Sequence, residues 1–122
     1  MAKYLLIKVA AFNDPTDPAS DAYWGFNTRT VGEVNSLDEA VKLASNDLEI
    51  SAADRFDYDM EDEVRQRKIN DFLTQDIDIP FESEEALDEY LAENKMTTVY
   101  NARYFDDETG SEDINEYDII KL

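Results

Sequence analysis

The segment from Tyr4 to Phe12 is apolar on both of its alternating faces. Leu5, Ile7, Val9 and Ala11 lie on one, and Tyr4, Leu6, Ala10 and Phe12 on the other. A strand with one wet face alternates apolar and polar residues, whereas an apolar pattern on both faces belongs inside a sheet. This segment is therefore expected to be a central strand. Lys8 interrupts its apolar run, and no A-x-A cleavage site follows. The segment is thus read as a strand rather than a secretory leader, and the protein as cytoplasmic.

The remaining pattern supplies neighbours for that strand. Asn13 to Asp21, with two Pro and three Asp, reads as a loop. Ala22 to Val31 alternates aromatic and polar residues, with Trp24 and Phe26 on one face, and reads as a second, antiparallel strand. Both aromatics are read as core or sheet-face residues. Arg29, on this strand, and Arg103, on a later one, are read as pairing with cross-strand acids. Ser36 and Glu39 form a capping box, followed by the stripe Leu37, Ala40, Val41, Ala44 and Leu48. Ser51 with Asp54 repeats the capping pattern and predicts a break near residue 50, and Asp59 with Asp62 offers a third start. A helix is expected to run on to about Thr74. Asp76 to Phe81 reads as a connector ended by Pro80. Ser83 opens another helix, with Leu87, Tyr90 and Leu91 inward. Thr97 to Phe105 and Ile114 to Leu122 read as strands around an Asp106 to Ser111 turn. The order strand, strand, helices, strand, strand predicts a single α+β domain over 1–122. Its expected architecture is an antiparallel four-stranded sheet with helices packed on one face.

Charge is the second constraint. The chain has 30 acids, 11 bases and no His, a formal charge of −19. Solubility of a small domain needs a magnitude of only about 2–8. Residues 1–46 carry a net of −2 and residues 47–122 a net of −17. A need for solubility alone would spread the acids evenly. Their one-sidedness points to a surface built for a basic partner. Direct nucleic-acid or anionic-membrane binding is disfavoured, because phosphate contacts need Lys and Arg.

The densest stretch runs from Asp47 to Glu63. It holds Asp47, Glu49, Asp54, Asp57, Asp59, Glu61, Asp62 and Glu63 against the single base Arg55. In helix, such a stretch would span roughly 25 Å, a length that holds about seven phosphates of one DNA strand. The candidate partner-binding residues are these eight acids with Tyr58, the helix face Glu84, Glu85 and Asp88, and the turn Asp106, Asp107 and Glu108. Five of the seven Tyr, at positions 58, 90, 100, 104 and 117, lie in the acidic part, where a ring beside carboxylates makes binding surface. Part of the charge pattern has a plainer account. Glu61 with Arg65 and Glu63 with Arg67 stand at i,i+4, as in an ordinary solvated helix.

No catalytic signature is present. Without His or Cys, most nucleophile–base arrangements are unavailable, and no glycine-rich phosphate loop exists. Asp57, Asp59 and Glu61, or the turn Asp106, Asp107, Glu108, Glu112 and Asp113, could offer oxygens to a hard cation. Neither has the spacing of a calcium loop. The expectation is no enzyme activity, no cofactor and no specific metal site.

In size and composition the chain resembles the small acidic DNA-mimic proteins of phages and mobile elements, such as anti-restriction and anti-CRISPR inhibitors. The resemblance implies a CRISPR effector or a restriction enzyme as the target, occupied where nucleic acid would bind, in the host-cell cytoplasm if the chain is phage-encoded. The expected function is a protein inhibitor that presents an acidic surface to a basic nucleic-acid-binding protein. The alternatives are an acidic immunity protein neutralising a basic toxin or nuclease, and a housekeeping domain of a halophile. Oligomeric state is not encoded in any of these signals.

Overall fold

A computed structural model describes residues 2–13, 25–56 and 60–122. Its elements in chain order are β1 (Tyr4–Asn13), β2 (Gly25–Val34), α1 (Leu37–Arg55), α2 (Asp62–Thr74), β3 (Asp76–Asp78), α3 (Glu84–Glu93), β4 (Met96–Phe105) and β5 (Glu112–Lys121). The class is α+β, as expected. The sheet is antiparallel, but it has five strands in the order β2-β1-β5-β4-β3. The additional strand is β3, within the stretch that the sequence presents as a connector. Three residues, Asp-Ile-Asp, are too short for a period-2 signal, and Asp is a poor strand former. Pairing with Asn101 to Arg103 on β4 imposes the conformation, and only Ile77 packs against the core.

β1 does sit inside the sheet, between β2 and β5. Register places Leu6 beside Ile119 and Lys8 beside Tyr117, with Tyr117 opposite Tyr100 on β4. All three helices reach this one face. The Tyr4 hydroxyl donates to Asp88 of α3, Lys8 contacts Asp47 of α1, and the Tyr104 ring meets Phe72 of α2. Leu5, Ile7, Val9 and Ala11 point the other way and are half-buried. The core joins Tyr4, Leu6, Leu48, Leu87, Val99, Tyr117 and Ile119.

α1 begins as its capping box predicts. Ser36 Oγ accepts from the Glu39 N–H at 3.1 Å, while the Glu39 carboxylate reaches the N–H of Asn35. The helix does not break near residue 50; it runs unbroken to Arg55. Ser51 is not a cap, because its hydroxyl is taken by the Lys8 ammonium. Ala40, Ala44 and Ala52 face inward and are fully buried, so the helix lies close to the sheet. Gly32 on β2 reflects that approach, since a Cβ there would stand 3.3 Å from Leu43 Cδ2.

α2 opens at Glu61 without a side-chain cap. Its anchor is Phe72, which meets Phe56 edge-on at 6.0 Å and Tyr104 at 5.4 Å, tying α1, α2 and β4 together. α3 is capped by Ser83, which accepts from the Ala86 N–H at 3.2 Å. The β4–β5 turn closes through Asp106 N to Ser111 O at 2.9 Å, with Gly110 at φ 74, where a side chain would be strained. Among the described residues no helix is long and apolar enough to cross a membrane.

Candidate functional site

The structure divides the acids into two populations. The first is internal. Asp47, on the sheet side of α1, accepts from Lys8 at 3.1 Å, from Tyr117 Oη at 2.6 Å and from Arg29. Burial works against its charge, but the hydrogen bonds from Arg29, Tyr117 and Lys8 outweigh it and hold the carboxyl below its ordinary pKa. Asp106 accepts from Lys68 at 2.9 Å and from the Glu108 N–H at 3.0 Å. It too is held low against desolvation, chiefly by Lys68. Asp113 pairs with Arg55 Nε at 3.0 Å, yet burial is the larger influence and its pKa is raised. Lys8, Arg29, Arg55 and Lys68 are thus engaged by three buried acids. The rest of the chain, with 27 acids and seven bases, carries a net of −20.

This corrects several sequence expectations. Asp47 and Asp106 are 8% and 7% exposed, so they are structural acids and not partner-facing ones. Glu84 and Asp88, one turn apart on α3, both act on the Tyr4 hydroxyl. Burial comes first among the influences that raise its pKa, and these two carboxylates add to it. They are half-buried, and Glu84 Oε1 is buried without a hydrogen-bond partner among the described residues. Tyr100, Tyr104 and Tyr117 are core residues at 6%, 5% and 0% exposure and offer no binding area. Arg29 pairs with an acid on α1 rather than with a cross-strand one. Phe26, expected in the core or on a sheet face, lies on the sheet opposite Ala11 and is exposed, so it is a sheet-face and not a core residue. Asp57, Tyr58, Asp59 and Trp24 lie outside the described residues. The turn acids do not converge as a cation site, because Asp106 and Asp113 already hold Lys68 and Arg55. No group of three or more His, Cys, Asp or Glu suited to a metal occurs among the described residues.

The second population faces solvent. Glu49 and Asp54 on α1, Glu61, Asp62 and Glu63 at the start of α2, Glu85 on α3, and Asp107 and Glu108 in the turn are all exposed, as expected. They do not form one rod, because α1 ends at Arg55 and α2 starts at Asp62.

A stretch that only partly overlaps the expected set, through Glu84, Glu85 and Asp88, is the longest base-free sequence in the chain. From Ile69 to Asn94 there are nine acids and no base. Seven of them, Asp71, Asp76, Asp78, Glu82, Glu85, Glu89 and Glu93, are exposed. Its sequence signal is the absence of Lys and Arg over 26 residues, not a peak of acid density, which falls earlier in the chain. Within this run the exposed side chains Ile79 and Tyr90 stand among the carboxylates, and Tyr90 packs edge-on against Phe81 at 5.6 Å.

A further carboxyl pair lies on the sheet face away from the helices. Asp118 is buried and accepts from Thr98 Oγ1 at 2.7 Å. Its neighbour Glu116 has its pKa pushed up to about 6, first by burial and then by the hydrogen bond and charge of Asp118.

No protein-family model, curated protein or solved structure matches the chain.

Proposed function

We propose that this chain is a protein inhibitor that presents an acidic, nucleic-acid-mimicking surface to a basic nucleic-acid-binding protein, such as a CRISPR effector or a restriction enzyme. The observation that carries the proposal is the base-free run from Ile69 to Asn94, with seven exposed acids spread over α2, β3 and α3. Internal ion pairing supports it, because Lys8, Arg29, Arg55 and Lys68 are committed to the buried acids Asp47, Asp113 and Asp106. Carboxylates accept well from Lys and Arg and so compete for a phosphate-binding groove. Unbalanced charge also accelerates encounter with a basic target. The action is occupancy, with no bond made or broken.

The test is a DNA-cleavage assay with purified CRISPR effectors and restriction enzymes, each titrated with the chain. Inhibition of at least one is expected when the chain is added before DNA, with much less when DNA is bound first. Inhibition should weaken as salt rises. The triple variant Glu85→Lys, Glu89→Lys, Glu93→Lys should lose it. Inhibition that ignores both salt and this variant would remove the acidic surface from the mechanism.

A further inference from the structure

A nucleic-acid mimic needs charge, but it does not need an apolar groove, and this molecule has one beside its base-free run. The groove, about 460 Å³, lies between α1 and the β3–α3 connector. Val41, Lys42 and Asn46 line one side, and Ile79, Phe81 and Glu82 the other. Val41 and Phe81 are half-buried and packed on the core, so the floor is fixed by the fold. Ile79 at the mouth is 43% exposed. Tyr90, 44% exposed, packs edge-on against Phe81 and extends the apolar area towards α3. The charged residues of the lining are Asp38, Glu82 and the single base Lys42, and Asp76, Asp78, Glu85, Glu89 and Glu93 flank Ile79 to Glu82 in sequence.

Buried apolar floor, exposed aromatic and charged rim together make the anatomy of a protein-binding hot spot. Charge complementarity selects the occupant. Its surroundings must be Lys and Arg, and its centre must be apolar. We propose that this groove takes one aliphatic or aromatic side chain from a Lys/Arg-rich segment of the target protein. The proposal rests on the inhibitor reading and adds to it a contact that no phosphate could make. Charge then brings the partners together, and the groove selects among basic proteins.

Two synthetic basic peptides of equal length and charge test this, one with a central Leu and the other with Ser in its place. Fluorescence anisotropy measures their binding to the full chain. The Leu peptide is expected to bind about tenfold more tightly, the effect of burying one such side chain. Asn46→Trp, which fills the groove, and Ile79→Ser, which strips its mouth, should each abolish the preference and leave the Ser peptide's affinity unchanged. Both substitutions are at exposed positions, and circular dichroism checks that the fold is kept. Equal binding of the two peptides to the native chain overturns the groove and leaves the acidic-surface reading standing. Failure of both peptides to bind overturns both. A Leu preference that survives both variants places the anchor elsewhere and overturns the groove alone.

Discussion

Asp47 and Glu89 are both carboxylates on capped helices, and their roles are opposite. Asp47 faces the sheet and is surrounded by Lys8, Arg29 and Tyr117. Glu89 faces solvent in a run of 26 residues with no base. The difference teaches where this protein puts its few cations. It uses them to neutralise acids under α1 and behind the β4–β5 turn, and it places none within the run that forms β3 and α3. A buried acid stripped of its partners would be very costly, whereas an exposed one costs little beyond mutual repulsion.

The largest effect should come from breaking the inner region. Asp47→Ala leaves Lys8 buried and the Tyr117 hydroxyl unpaired, so a loss of about 3–5 kcal/mol is expected, measured by urea denaturation. Glu89→Ala should leave the urea midpoint essentially unmoved. Equal effects of the two substitutions would erase the distinction between inner and outer acids.

A smaller effect should appear on acidification. Asp47 and Asp106 have folded-state pKa values below their ordinary value of 3.8. Their contribution is present above that value and is lost as pH falls through the folded-state values. Melting temperature should therefore drop steeply below about pH 4, and Asp47→Asn should flatten that drop. The exposed acids, mutated to Gln in pairs, should leave its steepness unchanged.

The smallest effect concerns Glu116, whose sign is reversed. Its pKa rises from 4.5 to about 6 in the folded state, so the folded protein holds this proton more tightly than the unfolded chain does. The associated stability is present below 4.5 and is lost as pH rises through about 6. Glu116→Gln should raise the melting temperature above that range and leave it unchanged below about pH 4. A gain that persists at low pH would show that the substitution acts through packing and not through the proton.

Much of the fold was legible because its signals are local. Ser36 with Glu39, and Ser83 at the start of α3, announce helix starts within four residues. Tyr4 to Phe12 announces a central strand within nine. β3 was illegible because Asp76, Ile77 and Asp78 take strand conformation only from the neighbouring Asn101 to Arg103. Ser51 misled because a hydroxyl that looks like a cap was claimed by Lys8 from another element. Of the candidate site residues, Glu85, Asp107 and Glu108 are exposed, as a partner-facing surface requires, whereas Asp47 and Asp106 are buried and Asp88 is half-buried. Each of those three meets its partner across a wide gap in sequence: Lys8, Lys68 and Tyr4, respectively.

The sequence by itself determined the α+β class, the helix caps, the central place of β1 and the crowding of acids after residue 46. Those follow from periodicity, neighbouring hydrogen bonds and composition, all of which act over a few residues. Only the tertiary structure decided which acids are inside, that Tyr100, Tyr104 and Tyr117 are core, and that an apolar groove opens beside the base-free run. Burial and ion pairing depend on which distant residues the fold brings within a few ångströms, and no local pattern encodes that distance.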